Sequence, residues 1–206
     1  MIQEIDLNRV LEVRNDLPVL SQRRKDVYTL EKKATETLKD DLETGIHYIG
    51  YRYSTTGAFG YIFCEDSVEK CRVGCGVIPS PPVYIHGKDR NWVSKFDNET
   101  TIVPGLTRTV KDEKTGAEAA RITLKDVGRF IINNSIDVFC DLEGKYTFYA
   151  NNALIGRITR FEGSCSRLPE AGGCDVEPYF DVTITDGLDE EQVMLITAFP
   201  MLRFSL

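Results

Sequence analysis

Six cysteines and two histidines are the residues of this chain best suited to nucleophilic or metal chemistry. Cys71 with His86 is an available thiol–imidazole pair, the arrangement that activates a cysteine nucleophile. Cys64, Cys71, Cys75 and His86 together offer soft ligands for zinc, but their spacings are not those of a C-x2-C knuckle. Cys71, Val73, Cys75 and Val77 alternate along the chain. That is the pattern of one buried strand face, and buried thiols are inert core residues. These cysteines are therefore expected to be reduced and structural. Cys165 and Cys174 sit in a Gly- and Pro-containing stretch and are the pair placed to bridge in an oxidising compartment.

The carboxylates say less. Asp181 with Asp186, and Asp189 with Glu190, lack calcium-loop spacing. Asp186-Gly187 fits a turn and Asp189 a helix cap. There is no G-x-S-x-G elbow, no phosphate-cradling G-x-x-x-x-G-K-[ST] loop and no H-E-x-x-H. Gly74-Cys75-Gly76 begins a G-x-G, but it lies within a strand pattern, where a bulge is expected. The expectation is a chain without catalytic residues, cofactor or metal, and not an enzyme.

Basic side chains remain as ligand-binding candidates: Arg121, Lys125, Lys145 and Arg157. Arg121 and Lys125 flank the apolar Ile122 and Leu124, so both should face outward from a strand. Arg157 and Arg160 are an odd number of residues apart and should point to opposite faces, unless Gly156 marks a bulge. The plainer reading of all these charges is solubility.

The elements that would position these residues are mostly strands. The 206 residues are 42% hydrophobic and 28% charged, ordinary for a globular chain, and are expected to form one domain. Residues 1–45 would be an N-terminal arm and helix. Over 25–42, Val27, Leu30, Ala34, Leu38 and Leu42 form one apolar helical stripe. From Ile46 the period shifts to two. Strands are expected at 46–53, 59–65, 70–78, 83–86, 92–96, 101–103, 106–111, 120–125, 130–132, 136–141, 145–149, 153–161 and 179–185. Turns are expected at Asn133-Asn134 and Asn151-Asn152. Such regularly spaced short strands argue for a barrel or sandwich. The apolar run 193–199 is either a helix or a buried wall strand. Asp189 and Gln192 form a capping-box pair and favour the helix. Pro200 should stop it, leaving 201–206 for a last strand.

This order of elements resembles the tubby C-terminal-like superfamily, which includes the phospholipid scramblases and LURP-one-related proteins. The carrying residues are Gly144-Lys145-Tyr146-Thr147-Phe148-Tyr149, then Leu154-Ile155-Gly156-Arg157-Ile158, then Tyr179-Phe180-Asp181-Val182-Thr183-Ile184. Asp189-Glu190-Glu191-Gln192-Val193-Met194-Leu195-Ile196 completes them. The resemblance spans 101–206. It implies a closed antiparallel β-barrel enclosing a hydrophobic C-terminal helix, mainly β with helices. It also implies phosphoinositide or other lipid-headgroup binding by exposed Lys and Arg.

The function expected is a non-catalytic binding module for a lipid headgroup or a protein partner. The alternative is a small-ligand carrier or enzyme with an open lumen, which needs 193–199 to be a wall strand. A third reading makes 25–42 a docking helix. The net charge of -7 argues against nucleic acid. No run of roughly 18 apolar residues offers a transmembrane segment. Met1-Ile2-Gln3-Glu4-Ile5-Asp6 lacks the features of a secretory signal, so a cytoplasmic site, peripheral to a membrane, is expected.

Overall fold

The computed structural model describes residues 42, 45–76, 82–95, 104–163 and 176–203. The expected helix at 25–42 (Leu42 apart), the strand at 101–103, and Cys165 with Cys174 lie outside them. Twelve strands appear among the described residues. They are β1 Gly45–Ser54, β2 Ala58–Glu65, β3 Val68–Gly76, β4 Val83–His86, β5 Asn91–Ser94 and β6 Thr107–Asp112. Then come β7 Glu118–Asp126, β8 Arg129–Ile132, β9 Ile136–Cys140, β10 Tyr146–Ala150, β11 Ala153–Arg160 and β12 Val176–Thr185. One helix, α1 Glu190–Leu202, follows.

Each strand pairs antiparallel with its neighbours in sequence, and β12 pairs with β1 to close the ring. Closure leaves no strand edge open to another chain. Alternation decides which side chains enter the lumen. In β4, Val83 and Ile85 are buried while Tyr84 and His86 are exposed. The hairpin turns at Asn133-Asn134 and Asn151-Asn152 have positive φ at both residues, between 51° and 63°. Asparagine tolerates that region, and paired positive φ matches the twist of the flanking strands.

The lumen is filled by α1, apolar on every side. Met194, Leu195, Ile196, Thr197, Ala198, Phe199 and Leu202 are all buried. Phe199 meets Phe130, Tyr146 and Phe148 edge to face, with ring centroids 5.2, 5.7 and 5.5 Å away. Gly156 lets the helix approach the wall, since a Cβ there would lie 3.3 Å from Ile196. The run 193–199 is therefore the helix, and it occupies the lumen that an open-barrel carrier would need.

Both helix ends are held by the barrel. At the start, Asp189 Oδ1 accepts from the Gln192 amide at 2.8 Å, and Gln192 Oε1 accepts from the Asp189 amide at 3.2 Å. Glu190 accepts from the Lys88 and Asp89 amides of the β4–β5 turn at 3.1 and 3.4 Å, and Glu191 pairs with Arg90. Asp189→Ala should lower stability by about 1 kcal/mol, the usual worth of an N-cap, measurable by urea titration. At the far end the helix has no basic residue in its last turn. Arg108 of β6 supplies the charge instead. It is 4% exposed and its Nη1 donates to the Leu202 carbonyl at 2.5 Å.

Two expectations are corrected. Pro200 does not end the helix, which continues to Leu202, so Met201 and Leu202 are helical rather than strand. The proline forfeits one late hydrogen bond. Burial of Phe199 and Leu202, both fully enclosed, outweighs that loss. Gly74 is not a bulge either: it pairs regularly with Gly60 and Tyr84. Its lack of a side chain admits the Tyr53 hydroxyl, which would lie 2.1 Å from a Cβ. The bulge in this hairpin falls at Lys70 instead, because Phe63 faces Cys71 while Cys64 faces Glu69.

Candidate ligand site at the barrel mouth

A cleft of about 330 Å³ opens at the end of the barrel where α1 finishes. Its walls carry Tyr61, Tyr146, Arg160, Tyr179, Phe180 and Arg203, with Pro200 below and the β9–β10 turn, 141–144, as one rim. Arg160 is the last residue of β11 and shares the face of Ile158, which is fully buried in the lumen. Alternation thus turns Arg160 inward, but beyond the packed core. Its guanidinium lies over the Tyr179 ring, 3.7 Å from the centroid, a cation–π contact.

Tyr179 reaches this position through a bulge. Gly50 faces Phe180 and Tyr51 faces Pro178, so Tyr179 is the extra residue of β12. A bulge re-aims the side chain it carries. Tyr61 completes an aromatic wall, with centroids 5.5 Å from Tyr179 and 4.8 Å from Phe180. Arg203 caps the helix C-terminus, stands 5.5 Å over the Tyr146 ring and donates to Cys140 Sγ at 3.6 Å.

The ion pairs among the described residues include neither Arg160 nor Arg203. Among the described residues, two guanidiniums without a carboxylate partner therefore face one cleft. Burial pushes the Tyr61 and Tyr146 phenols above their ordinary pKa, although Arg203 opposes this at both. The phenols stay neutral and can donate hydrogen bonds. Burial also raises the Cys140 thiol, again against Arg203. On the rim, Asp141 Oδ1 accepts from the Glu143 and Lys145 amides at 3.0 and 2.8 Å, which shapes the turn. Glu143 is exposed beside it. The arrangement can hold an oxyanion: bidentate donors, neutral phenols and an aromatic wall.

The four basic residues singled out from sequence do not form one patch: Arg121 and Lys125 lie on β7, Lys145 beside β10 and Arg157 on β11. Arg121 faces outward from β7 as alternation required, and is held bidentate by Glu118 at 2.9 and 2.8 Å. Lys125 is exposed on the same strand, and Lys145 is exposed just before β10. Arg157 is half-buried on β11 between Thr147 and Thr183. β7 and β11 are separated by β8, β9 and β10, roughly 19 Å around the wall at ordinary strand spacing. The β11 bulge falls at Ile155, before both arginines, so Arg157 points out and Arg160 in.

The thiols are placed for packing. Cys71 points into the lumen and burial pushes its pKa up to about 12. Burial also carries Cys64 up to about 11. His86 is exposed on the outer face and pairs with Arg72, so it stands across the wall from Cys71. Cys64, Cys71, Cys75 and Cys140 are free thiols. No group of three His, Cys, Asp or Glu among the described residues could hold a metal, and none of their helices is long and apolar enough to cross a membrane.

The fold defines a closed, helix-filled, up-and-down barrel. No family model, curated protein or solved structure matches this chain.

Proposed function

We propose that the chain is a non-catalytic binding module that takes a phosphate-bearing headgroup in the mouth cleft. The observation that carries this is the convergence there of Arg160 and Arg203, neither of which is in an ion pair among the described residues. Arginine matches phosphate geometry with paired donors, and the neutral, half-buried phenol of Tyr61 adds another. The resemblance of the element order to the tubby C-terminal-like superfamily supports a lipid headgroup, phosphoinositides included, by fold analogy alone. A cytoplasmic protein peripheral to a membrane is part of the same reading. The high thiol pKa values of Cys64 and Cys71 disfavour nucleophilic chemistry.

Calorimetric titration with glycerol 3-phosphate and with inositol phosphates tests the proposal. Arg160→Ala and Arg203→Ala should each weaken binding about tenfold or more, the worth of a charge-assisted hydrogen bond. Neither side chain lies in the core, so folding should be unchanged. Binding unaffected by both substitutions, but lost on Arg121→Ala with Lys125→Ala, would move the site to the outer wall of β7 and end this reading.

A further inference from the structure

Resting on that reading, we infer that the mouth docks on a zwitterionic lipid surface and takes a phosphate–ammonium headgroup of the ethanolamine type. The charge of the cleft is balanced. Arg160 and Arg203 line one part of it, and Asp141 and Glu143 line the rim. A phosphodiester satisfies the guanidiniums. An ammonium two carbons away carries three N–H donors for the carboxylates. Within the phosphate headgroups this balance narrows the choice away from polyanionic phosphoinositides, which would meet Asp141 and Glu143 with like charge, and the net charge of -7 opposes approach to an anionic membrane.

The second observation is apolar. Leu142, at the tip of the β9–β10 turn, is fully exposed at 105%, and Val127, at the tip of the β7–β8 turn, is 81% exposed. The two turns lie side by side at the same end of the barrel, joined where the Cys140 amide donates to the Gly128 carbonyl at 2.7 Å. Leu142 itself lines the cleft. Two aliphatic side chains standing in solvent beside a headgroup-sized cleft suit the interface between headgroups and acyl chains. With the headgroup in the cleft, Leu142 and Val127 would enter that boundary together.

Co-sedimentation with vesicles tests this in three compositions: phosphatidylcholine alone, phosphatidylcholine with phosphatidylethanolamine, and phosphatidylcholine with phosphatidylglycerol. The ethanolamine vesicles should bind best, and binding should persist at high salt. Leu142→Ser with Val127→Ser should lower the vesicle-bound fraction about tenfold, in line with the apolar area withdrawn. Calorimetric binding of soluble glycerophosphoethanolamine should be unchanged in that variant. Glu143→Gln should instead weaken the soluble ligand without affecting glycerol 3-phosphate. Preference for phosphatidylglycerol, or equal binding to phosphatidylcholine alone, overturns the headgroup assignment. Soluble binding without any vesicle binding overturns the membrane surface and leaves the cleft reading standing. Loss of both soluble and vesicle binding overturns the two together.

Discussion

Phe199→Ala should cost about 3–5 kcal/mol of folding stability, the range for removing a large buried aromatic ring. The ring is fully buried in the lumen and makes edge-to-face contacts with Phe130, Tyr146 and Phe148. Those three partners come from β8 and β10, and the strands around a closed barrel cannot collapse inward to refill the space. A void therefore remains and its lining loses dispersion contacts. Against a total stability on the order of 5–15 kcal/mol, this is a large fraction. Urea titration reads it directly, with Leu142→Ala at an exposed tip as the control near zero. A loss below about 1 kcal/mol, the scale of surface substitutions, would mean that α1 does not fill the barrel.

Arg108→Met is the second large effect, at roughly 2–3 kcal/mol, the cost of stranding buried polar groups. The last carbonyls of a helix have no intrahelical donors, and that of the fully buried Leu202 ends inside the barrel. Arg108 donates to the Leu202 carbonyl at 2.5 Å, with the Met201 and Arg203 carbonyls at 3.5 and 3.4 Å. Its charge also opposes the negative end of the helix dipole. Methionine keeps the apolar stem and removes the donors. Arg108→Lys should recover part of the loss. Amide hydrogen exchange at the end of α1 separates this from a general weakening: protection should fall there before it falls in β1 or β12. Uniform loss of protection would contradict the capping role.

The wall of the barrel was largely legible in the sequence because its signals are local. Val83 and Ile85 against Tyr84 and His86 declare a strand in four residues, and Asn-Asn turns declare their own backbone. The start of α1 was equally plain from Asp189 and Gln192. Its end was not. Pro200 is a local stop signal, and burial of Phe199 and Leu202 on either side of it overrode it. Arg108 shares its face with Val110, so alternation already placed a charge inside the barrel. What it caps comes from α1, more than ninety residues later, which no local pattern reports.

The site shows the same division. Alternation set Arg121 and Lys125 on the outside, where the structure has them. It also separated Arg160 from Arg157, and inward Ile158 marks Arg160 as facing the lumen. Nothing local pairs Arg160 with Arg203, because the two meet only when α1 threads the ring. Tyr179 joins them through a bulge beside Pro178, a register shift that the strand pattern does not reveal.

The most direct test of the mouth as the ligand site is an NMR titration of the ¹⁵N-labelled protein with glycerophosphoethanolamine, following backbone amides and arginine Nε signals. Shifts are expected at Arg160, Arg203, Gly144 and Phe180, with Arg121 and Lys125 unmoved. Shifts centred on Arg121 and Lys125, or none at saturating ligand, would contradict the mouth as the site.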